Sequence, residues 1–154
     1  MELVDLLGQD GVIANLRVTS KKQALQEVAK VAAARAGMEE RTVFDVLLER
    51  ERLGTTGVGH GVAIPHGKLK RLDGLYGVFA RLERPVDFDA IDDAPVDLIF
   101  LLLAPEDAGA EHLKALARIS RLLRNQQVCE KLRNAATRDE IMTILNSHQA
   151  SRAA

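Results

Sequence analysis

The stretch of residues 53–69 constrains this chain more than any other part of the sequence. It has glycine at positions 54, 57, 59, 61 and 67, around a short apolar run that ends in Pro65-His66. Because glycine loses more backbone entropy on folding than other residues, such a cluster marks tight turns or a close approach of a ligand to the backbone. Pro65 fixes its own φ and pushes Ile64 into an extended conformation. We therefore predict a short strand over residues 62–64 that delivers His66 to an exposed turn.

Length and charge narrow the classes of partner that this chain can have. Its 154 residues suit one domain, and a net charge of −1 with few aromatic residues gives no reason to expect nucleic acid as a partner. The longest apolar run, residues 98–104, is too short to span a bilayer, and the N-terminus does not have the pattern of a signal peptide. A single cysteine, Cys129, suits a reducing compartment and is expected to be an inert, partly buried thiol. We expect a cytoplasmic protein without membrane insertion.

The hydrophobic periodicity predicts helices around a heavily covered sheet. Residues 96–103 are almost continuously apolar, which is typical of a strand that is buried on both faces. Ser20 with Gln23, and Thr137 with Glu140, have the spacing of capping boxes that begin helices. The other predicted elements are strands over 12–18 and 75–82, helices over 20–37, 39–52 and 127–134, an amphipathic helix around 113–123, and an irregular or edge segment over 85–90. The expected fold class is α/β, a three-layer α/β/α single domain with a central mixed sheet over residues 1–148, followed by a frayed tail over 149–154.

His66 is the leading candidate for chemistry. With a reference pKa near 6.5, about three quarters of such side chains are neutral at pH 7, so the imidazole needs no activation as a nucleophile. The plainer interpretation is a turn histidine that is hydrogen-bonded to the backbone. Two phosphate-binding motifs fail here: Gly61 and Gly67-Lys68 are separated by five residues, where a Walker A loop needs four, and the glycines lack the dinucleotide spacing.

Helical phase distinguishes two arginines near the end of the predicted second helix. Arg50 lies seven residues after Val43 and three after Leu47, on the inward stripe, whereas Arg52 shares the outer face with Glu49. An inward cation needs an anion, because burying it unpaired is costly. Either a structural carboxylate or a bound phosphate would serve.

The remaining histidines have different sequence contexts. His112 opens the helix after Pro105 on its apolar face, where it could be an ordinary core residue or could lie beside the free N–H groups of the helix N-terminus. His60 is interpreted as an exposed loop residue, and His148 carries no signal. The histidines do not have the spacing of a metal site, and we expect no metal and no cofactor.

The run Arg50-Glu-Arg-Leu-Gly-Thr-Thr-Gly-Val-Gly-His-Gly-Val-Ala-Ile-Pro-His66-Gly-Lys resembles the signature of the fructose/mannitol-type IIA domains of the bacterial phosphotransferase system. The resemblance is strongest to the nitrogen-regulatory members and continues through residues 88–98 and Glu111-His112-Leu to the C-terminal helices. It implies that His66 accepts a phosphoryl group, that Arg50 neutralises it, and that His112 is the second active-site histidine. Family members are described as phosphorylated on Nε2, which requires another acceptor to hold Nδ1.

The resemblance also implies partners. The donor would be an HPr-like, nitrogen-type phosphocarrier protein, and the phosphorylation state would report to sensor kinases or potassium-transport regulators. Val58, Val62 and Leu69 are expected to be apolar parts of the docking surface around His66. Two alternatives stay open: a stand-alone IIA component that passes phosphate to the IIB subunit of a sugar permease, and a non-catalytic binding domain like those of anion transporters.

Overall fold

The computed structural model describes residues 2–153, with side chains described through residue 147. The predicted frayed tail falls on the last of these residues and on position 154, which lies outside the described chain. The helices are α1 (Leu3–Leu7), α2 (Lys21–Ala36), α3 (Glu40–Arg52), α4 (Ala110–Arg124), α5 (Gln126–Asn134) and α6 (Arg138–Ala153). The strands are β1 (Val12–Leu16), β2 (Gly57–Gly59), β3 (Val62–Ala63), β4 (His66–Leu69), β5 (Tyr76–Val86) and β6 (Val96–Pro105).

The strands form one mixed sheet with β6 near its centre. Their order is β1-β5-β6-β3-β2, and β4 also pairs with β6. β5 runs antiparallel to β6, whereas β3 and β4 both run parallel to it, one after the other along its length. β1 is parallel to β5, and β2 is antiparallel to β3.

Each face of the sheet is covered by helices, which makes the predicted three-layer α/β/α arrangement correct. Along β6, residues 99, 101 and 103 join the core formed with α2 and α3. Residues 98, 100 and 102 join the core formed with α1, α4, α5 and α6. Since successive side chains of a strand point to opposite faces, burial on both sides requires the continuous apolar run seen in the sequence.

The capping residues act as the sequence indicated. The Ser20 hydroxyl accepts a hydrogen bond from the Gln23 backbone N–H at 3.1 Å, and Gly37 ends α2 in the left-handed conformation. The Thr137 hydroxyl likewise accepts from the Glu140 N–H at 3.1 Å. These local interactions satisfy N–H groups that the first helical turn leaves free.

The observed elements differ from the expected ones in several places, α1, β1 and β5 among them. α1 was not anticipated, because a helix of five residues is too short for a periodic signal. β1 ends at Leu16 rather than at residue 18. β5 extends through Val86, so part of the segment expected to be irregular is strand, with Pro85 exposed. Within residues 2–153, no helix is both long and apolar enough to cross a membrane.

Gly67 lets α3 pack closely on β4. A Cβ atom added at this position would lie 2.5 Å from Cγ1 of Val46, a side chain of α3 that is stiff at χ1. We expect Gly67→Ala to lower the free energy of unfolding by about 1–3 kcal/mol, the usual cost of overpacking. Urea denaturation would measure this. Gly74→Ala is the matched control, because a Cβ atom there meets nothing within 4 Å, and an equal loss in both variants would contradict the explanation.

Candidate active site

His66 lies at the start of β4 rather than in an exposed turn, which corrects the prediction from the sequence. The part of the chain that pairs with β6 is interrupted at Ile64-Pro65, between β3 and β4. Pairing to β6 resumes with His66, which lies opposite Leu102. The break arises because Pro65 has no N–H to donate, while its carbonyl still accepts from the Leu102 N–H at 3.0 Å. The imidazole is half-buried and fixed by a paired strand.

A backbone carbonyl sets the tautomer of this imidazole. Nδ1 of His66 lies 2.9 Å from the carbonyl oxygen of Ile64. Since a carbonyl can only accept, Nδ1 carries the proton in this contact, and Nε2 of the neutral ring has the free lone pair. The unprotonated nitrogen of the neutral His66 ring is therefore Nε2.

Arg50 reaches that nitrogen from the last turn of α3. Its Nε donates to Nε2 of His66 at 3.3 Å, and its Nη1 donates to the carbonyl oxygen of Gly54 at 2.9 Å. Arg52 instead lies on the exposed side of the helix, 3.7 Å from the Glu49 carboxylate. The helical phase thus separated the two arginines correctly, and the inward one has no carboxylate partner among the contacts described.

His112 is the third side chain that the fold brings to this place. It lies in the first turn of α4, is only 7% exposed, and its ring centroid is 6.0 Å from that of His66. Neither of its ring nitrogens has a hydrogen-bond partner among the described residues. Leaving a buried polar group unpaired costs about 1–3 kcal/mol, so these nitrogens are available to a ligand rather than satisfied by the fold.

Burial keeps both imidazoles neutral. Desolvation lowers the pKa of His66, the nearby Arg50 charge lowers it further, and the Ile64 carbonyl and the Glu51 carboxylate oppose the shift. The pKa of His112 is also lowered, chiefly by burial and then by the charges of Lys68 and His66. At pH 7 the site therefore presents neutral imidazoles beside a permanently charged guanidinium.

A buried polar group on α3, Glu51, was not among the predicted site residues. Glu51 is 7% exposed and makes an ion pair with Lys21 Nζ at 2.8 Å. Its carboxylate also accepts hydrogen bonds from the backbone N–H and the hydroxyl of Thr56. A signal was present, since Glu51 follows Val43 and Leu47 at intervals of four residues on the most buried line of the helix.

The expected apolar surroundings of His66 need correction. Val62 and Leu69 are core residues, only 1% and 4% exposed, because they point into the two faces of the sheet. Val58 is exposed, as expected, but lies on β2. The exposed leucines beside the site are Leu53, at the C-cap of the helix that carries Arg50, and Leu113, which follows His112.

The other candidates are not part of this cluster. His60 is an exposed loop residue, as predicted, and its backbone N–H donates to Asp92. Cys129 is buried, which raises the pKa of its thiol and disfavours the reactive thiolate. Among the side chains that the structure describes, in residues 2–147, no group of three or more histidine, cysteine or acidic side chains is placed to hold a metal ion.

Comparison with known proteins identifies the family of this chain. The model of the family described as "Phosphoenolpyruvate-dependent sugar phosphotransferase system, EIIA 2" matches residues 5–148. The chain belongs to this family of type-2 EIIA domains, which are phosphocarrier domains of the phosphotransferase system.

Similarity to the nitrogen regulatory members extends along almost the whole chain. A nitrogen regulatory protein of Bradyrhizobium diazoefficiens is 58% identical over 145 residues, which cover 94% of this chain and 95% of the relative. The crystal structure of the nitrogen regulatory protein IIA-Ntr from Neisseria meningitidis has 36% identity and a TM-score of 0.89, covering 93% of this chain and 98% of that one. A fructose-specific EIIA component of Haloferax volcanii is 37% identical and covers 82% of each chain.

Proposed function

We propose that this protein accepts a phosphoryl group on Nε2 of His66 from a histidine-phosphorylated, HPr-like carrier of the nitrogen type. The observation that carries the proposal is the hydrogen bond from Nδ1 to the Ile64 carbonyl, which leaves the Nε2 lone pair next to the Arg50 guanidinium. Catalysis then depends on positioning and charge neutralisation, as is usual for phosphoryl transfer.

The transfer itself needs no proton movement on the acceptor. The Nε2 lone pair attacks phosphorus while the bond between phosphorus and the donor nitrogen breaks, and that electron pair returns to the donor imidazole. Nδ1 of His66 keeps its proton on the Ile64 carbonyl throughout. The product is a phosphoimidazolium ring whose positive charge partly offsets the phosphoryl dianion.

Arg50 and His112 would stabilise the phosphoryl oxygens. Arg50 already contacts Nε2, so a phosphoryl group bonded to that atom would lie within reach of its guanidinium. His112 brings one N–H donor of a neutral ring, unused in the free protein, together with the N-terminal end of α4, where partial positive charge favours anions. These groups act in a partly desolvated site, where charge interactions are stronger than in water.

Protein partners would dock around this cluster on apolar contacts. Leu53 and Leu113 are 83% and 66% exposed, unusual values for large aliphatic side chains, and each neighbours an active-site element. Together they can exclude water from the transfer while leaving His66 accessible. This surface replaces the one anticipated from Val62 and Leu69.

The output of the protein would be regulatory. Phosphorylation adds about −1.5 to −2 charges at pH 7, which is enough to change partner choice without a change of fold. The extensive similarity to nitrogen regulatory proteins supports this role. The proposed targets are sensor kinases or potassium-transport regulators, and the proposed location is the cytoplasm. The second candidate, supported by the fructose-specific relative, is a IIA component that passes phosphate to the IIB subunit of a sugar permease.

Incubation with the phosphorylated carrier tests the proposal directly. We expect intact mass spectrometry to show one added phosphoryl group that is lost in acid, as phosphohistidine is. Adding a IIB protein to the product separates the two outputs, since retention of the label favours regulation and rapid loss favours transport. If no phosphoryl group is gained from the carrier, the proposal is wrong.

The rate of phosphoryl acceptance should depend on pH in one direction. Because the pKa of His66 is lowered, Nε2 is unprotonated above about pH 6.5, the ordinary value, and the rate should be level there. Below the lowered pKa, the rate should fall as the lone pair is lost to a proton. Rapid-quench measurements of the transfer rate with a prephosphorylated donor would show this. NMR titration of the His66 imidazole in the same buffers shows whether the pH dependence comes from the acceptor or from the donor histidine. A decline that begins above pH 6.5 would contradict it.

A further inference from the structure

A buried ion pair next to the active site has no part in the steps above. The Glu51 side chain is 3% exposed and the Lys21 side chain 21% exposed, and they are 2.8 Å apart. Lys21 also donates to the Phe88 carbonyl at 3.3 Å, so the pair joins the start of α2 to the end of α3 and to the segment after β5. Removing charges from water is costly, and an apolar pair often stabilises a fold as well, so stability alone does not explain this arrangement.

Hydrogen bonds connect Glu51 to the imidazole of His66. The Glu51 carboxylate accepts from the Thr56 N–H at 3.0 Å and from the Thr56 hydroxyl. The Thr56 carbonyl accepts from the Ile64 N–H at 2.9 Å. The Ile64 carbonyl in turn accepts from Nδ1 of His66 at 2.9 Å. Glu51 therefore fixes Thr56, and the Thr56 carbonyl in turn holds the backbone of Ile64.

We propose that Glu51 is a positioning residue, which acts through Thr56 and Ile64 to keep the proton of His66 on Nδ1 and the lone pair on Nε2. The inference rests on the proposed function, because it concerns the nitrogen that would accept the phosphoryl group. Glu51 follows Arg50 directly in the chain. One turn of α3 therefore supplies the cation that contacts Nε2 of His66 and the carboxylate that acts, through Thr56 and Ile64, on the hydrogen bond of Nδ1.

The charge of Glu51 has a second consequence for the phosphorylated state. After transfer, the ring is a cation that retains its Nδ1 proton, and a protonated ring releases phosphorus more readily than a neutral one. The Glu51 carboxylate stabilises that cation, whereas Arg50 opposes it. The His112 ring on α4 lies 6.0 Å from the His66 ring, and Lys68 on β4 lowers the pKa of His112. Lys21 offsets the Glu51 carboxylate and also pairs with Asp89 at 3.4 Å.

Two single substitutions separate an electrostatic role from a merely structural one. Glu51→Gln removes the negative charge and should lower the pKa of His66 further. Lys21→Met leaves the Glu51 carboxylate uncompensated and should raise the pKa of His66. If the substitutions instead disordered the site, the His66 ring would become exposed in both variants. Its pKa would then rise in both, since burial is the main cause of the lowered pKa of His66. NMR titration of the His66 imidazole in the unphosphorylated protein measures each shift.

Thr56→Val provides a test that leaves both charges in place. It removes the hydroxyl bond to Glu51, and we expect imidazole ¹⁵N shifts to show a new population of His66 with the proton on Nε2. Thr56→Ser should restore the original tautomer. If Glu51→Gln does not fold, this variant pair decides the matter.

Asp45→Asn is the matched control, because Asp45 is an exposed carboxylate on the same helix, paired with Arg41 at 3.2 Å. It should leave both the pKa and the tautomer of His66 unchanged. Shifts of the same sign in the Glu51 and Lys21 variants, or an unchanged tautomer in Thr56→Val, would overturn the inference. These measurements need no phosphate donor, so such a result is distinct from a failure of wild-type protein to be phosphorylated.

Discussion

Replacing His66 by alanine is expected to abolish phosphorylation by the carrier completely. The variant loses the nitrogen whose lone pair the fold prepares. His112 cannot substitute because no carbonyl fixes the proton of its ring, whose nitrogens have no hydrogen-bond partner among the described residues. Since a half-buried imidazole contributes little to the core, the variant should remain folded, with a cooperative thermal transition. Intact mass after incubation with phosphorylated carrier would show the unmodified chain alone.

His60→Ala is the matched control for this experiment. His60 is an exposed histidine of the same glycine-rich segment, and it lies beyond β3 at the other end of the paired stretch from His66. Its removal should leave the phosphorylated fraction unchanged. An acid-labile phosphoryl group found on the His66→Ala protein would refute the assignment of the acceptor.

Arg50→Ala should slow phosphoryl transfer by about 10²–10³-fold, the usual cost of losing one preorganised donor at a site of developing charge. Its Nε donates to Nε2 at 3.3 Å. This hydrogen bond is given up when the lone pair bonds to phosphorus, and the guanidinium then lies within reach of the phosphoryl oxygens. Single-turnover transfer from the phosphorylated carrier measures the rate. Loss of the Arg50 charge also removes one cause of the lowered His66 pKa, so the rate should be compared above pH 7, where the ring is neutral in both proteins.

Arg52→Ala removes the same type of side chain two residues away. Arg52 lies on the exposed side of α3 near Glu49, and such surface pairs contribute about 1 kcal/mol or less. Its transfer rate should match that of the unmodified protein. Equal slowing in both variants would indicate a general electrostatic attraction of the donor rather than a specific role for Arg50.

Sequence patterns were sufficient to predict the features of the fold that depend on neighbouring residues in the chain. The inward position of Arg50 follows from its spacing after Val43 and Leu47, and the helix ends at Ser20 and Gly37 follow from local hydrogen bonding. The continuous apolar run of β6 required a sheet covered on both faces. These features depend on contacts within a few residues, which the sequence states directly.

Contacts between residues that are distant in the chain decided the remaining features of the site. Lys21 and Glu51 are thirty positions apart, and only the packing of α2 beside α3 on one face of the sheet brings their charges together. The packing of α4 on the other face of the sheet brings the His112 ring to 6.0 Å from that of His66. The sequence thus determined which residues have the chemistry for the proposed phosphoryl transfer, whereas the tertiary structure decided which imidazole nitrogen keeps its lone pair unprotonated. The physical reason is that helical phase repeats along the chain, while a hydrogen bond to one carbonyl depends on where the folded backbone places that oxygen.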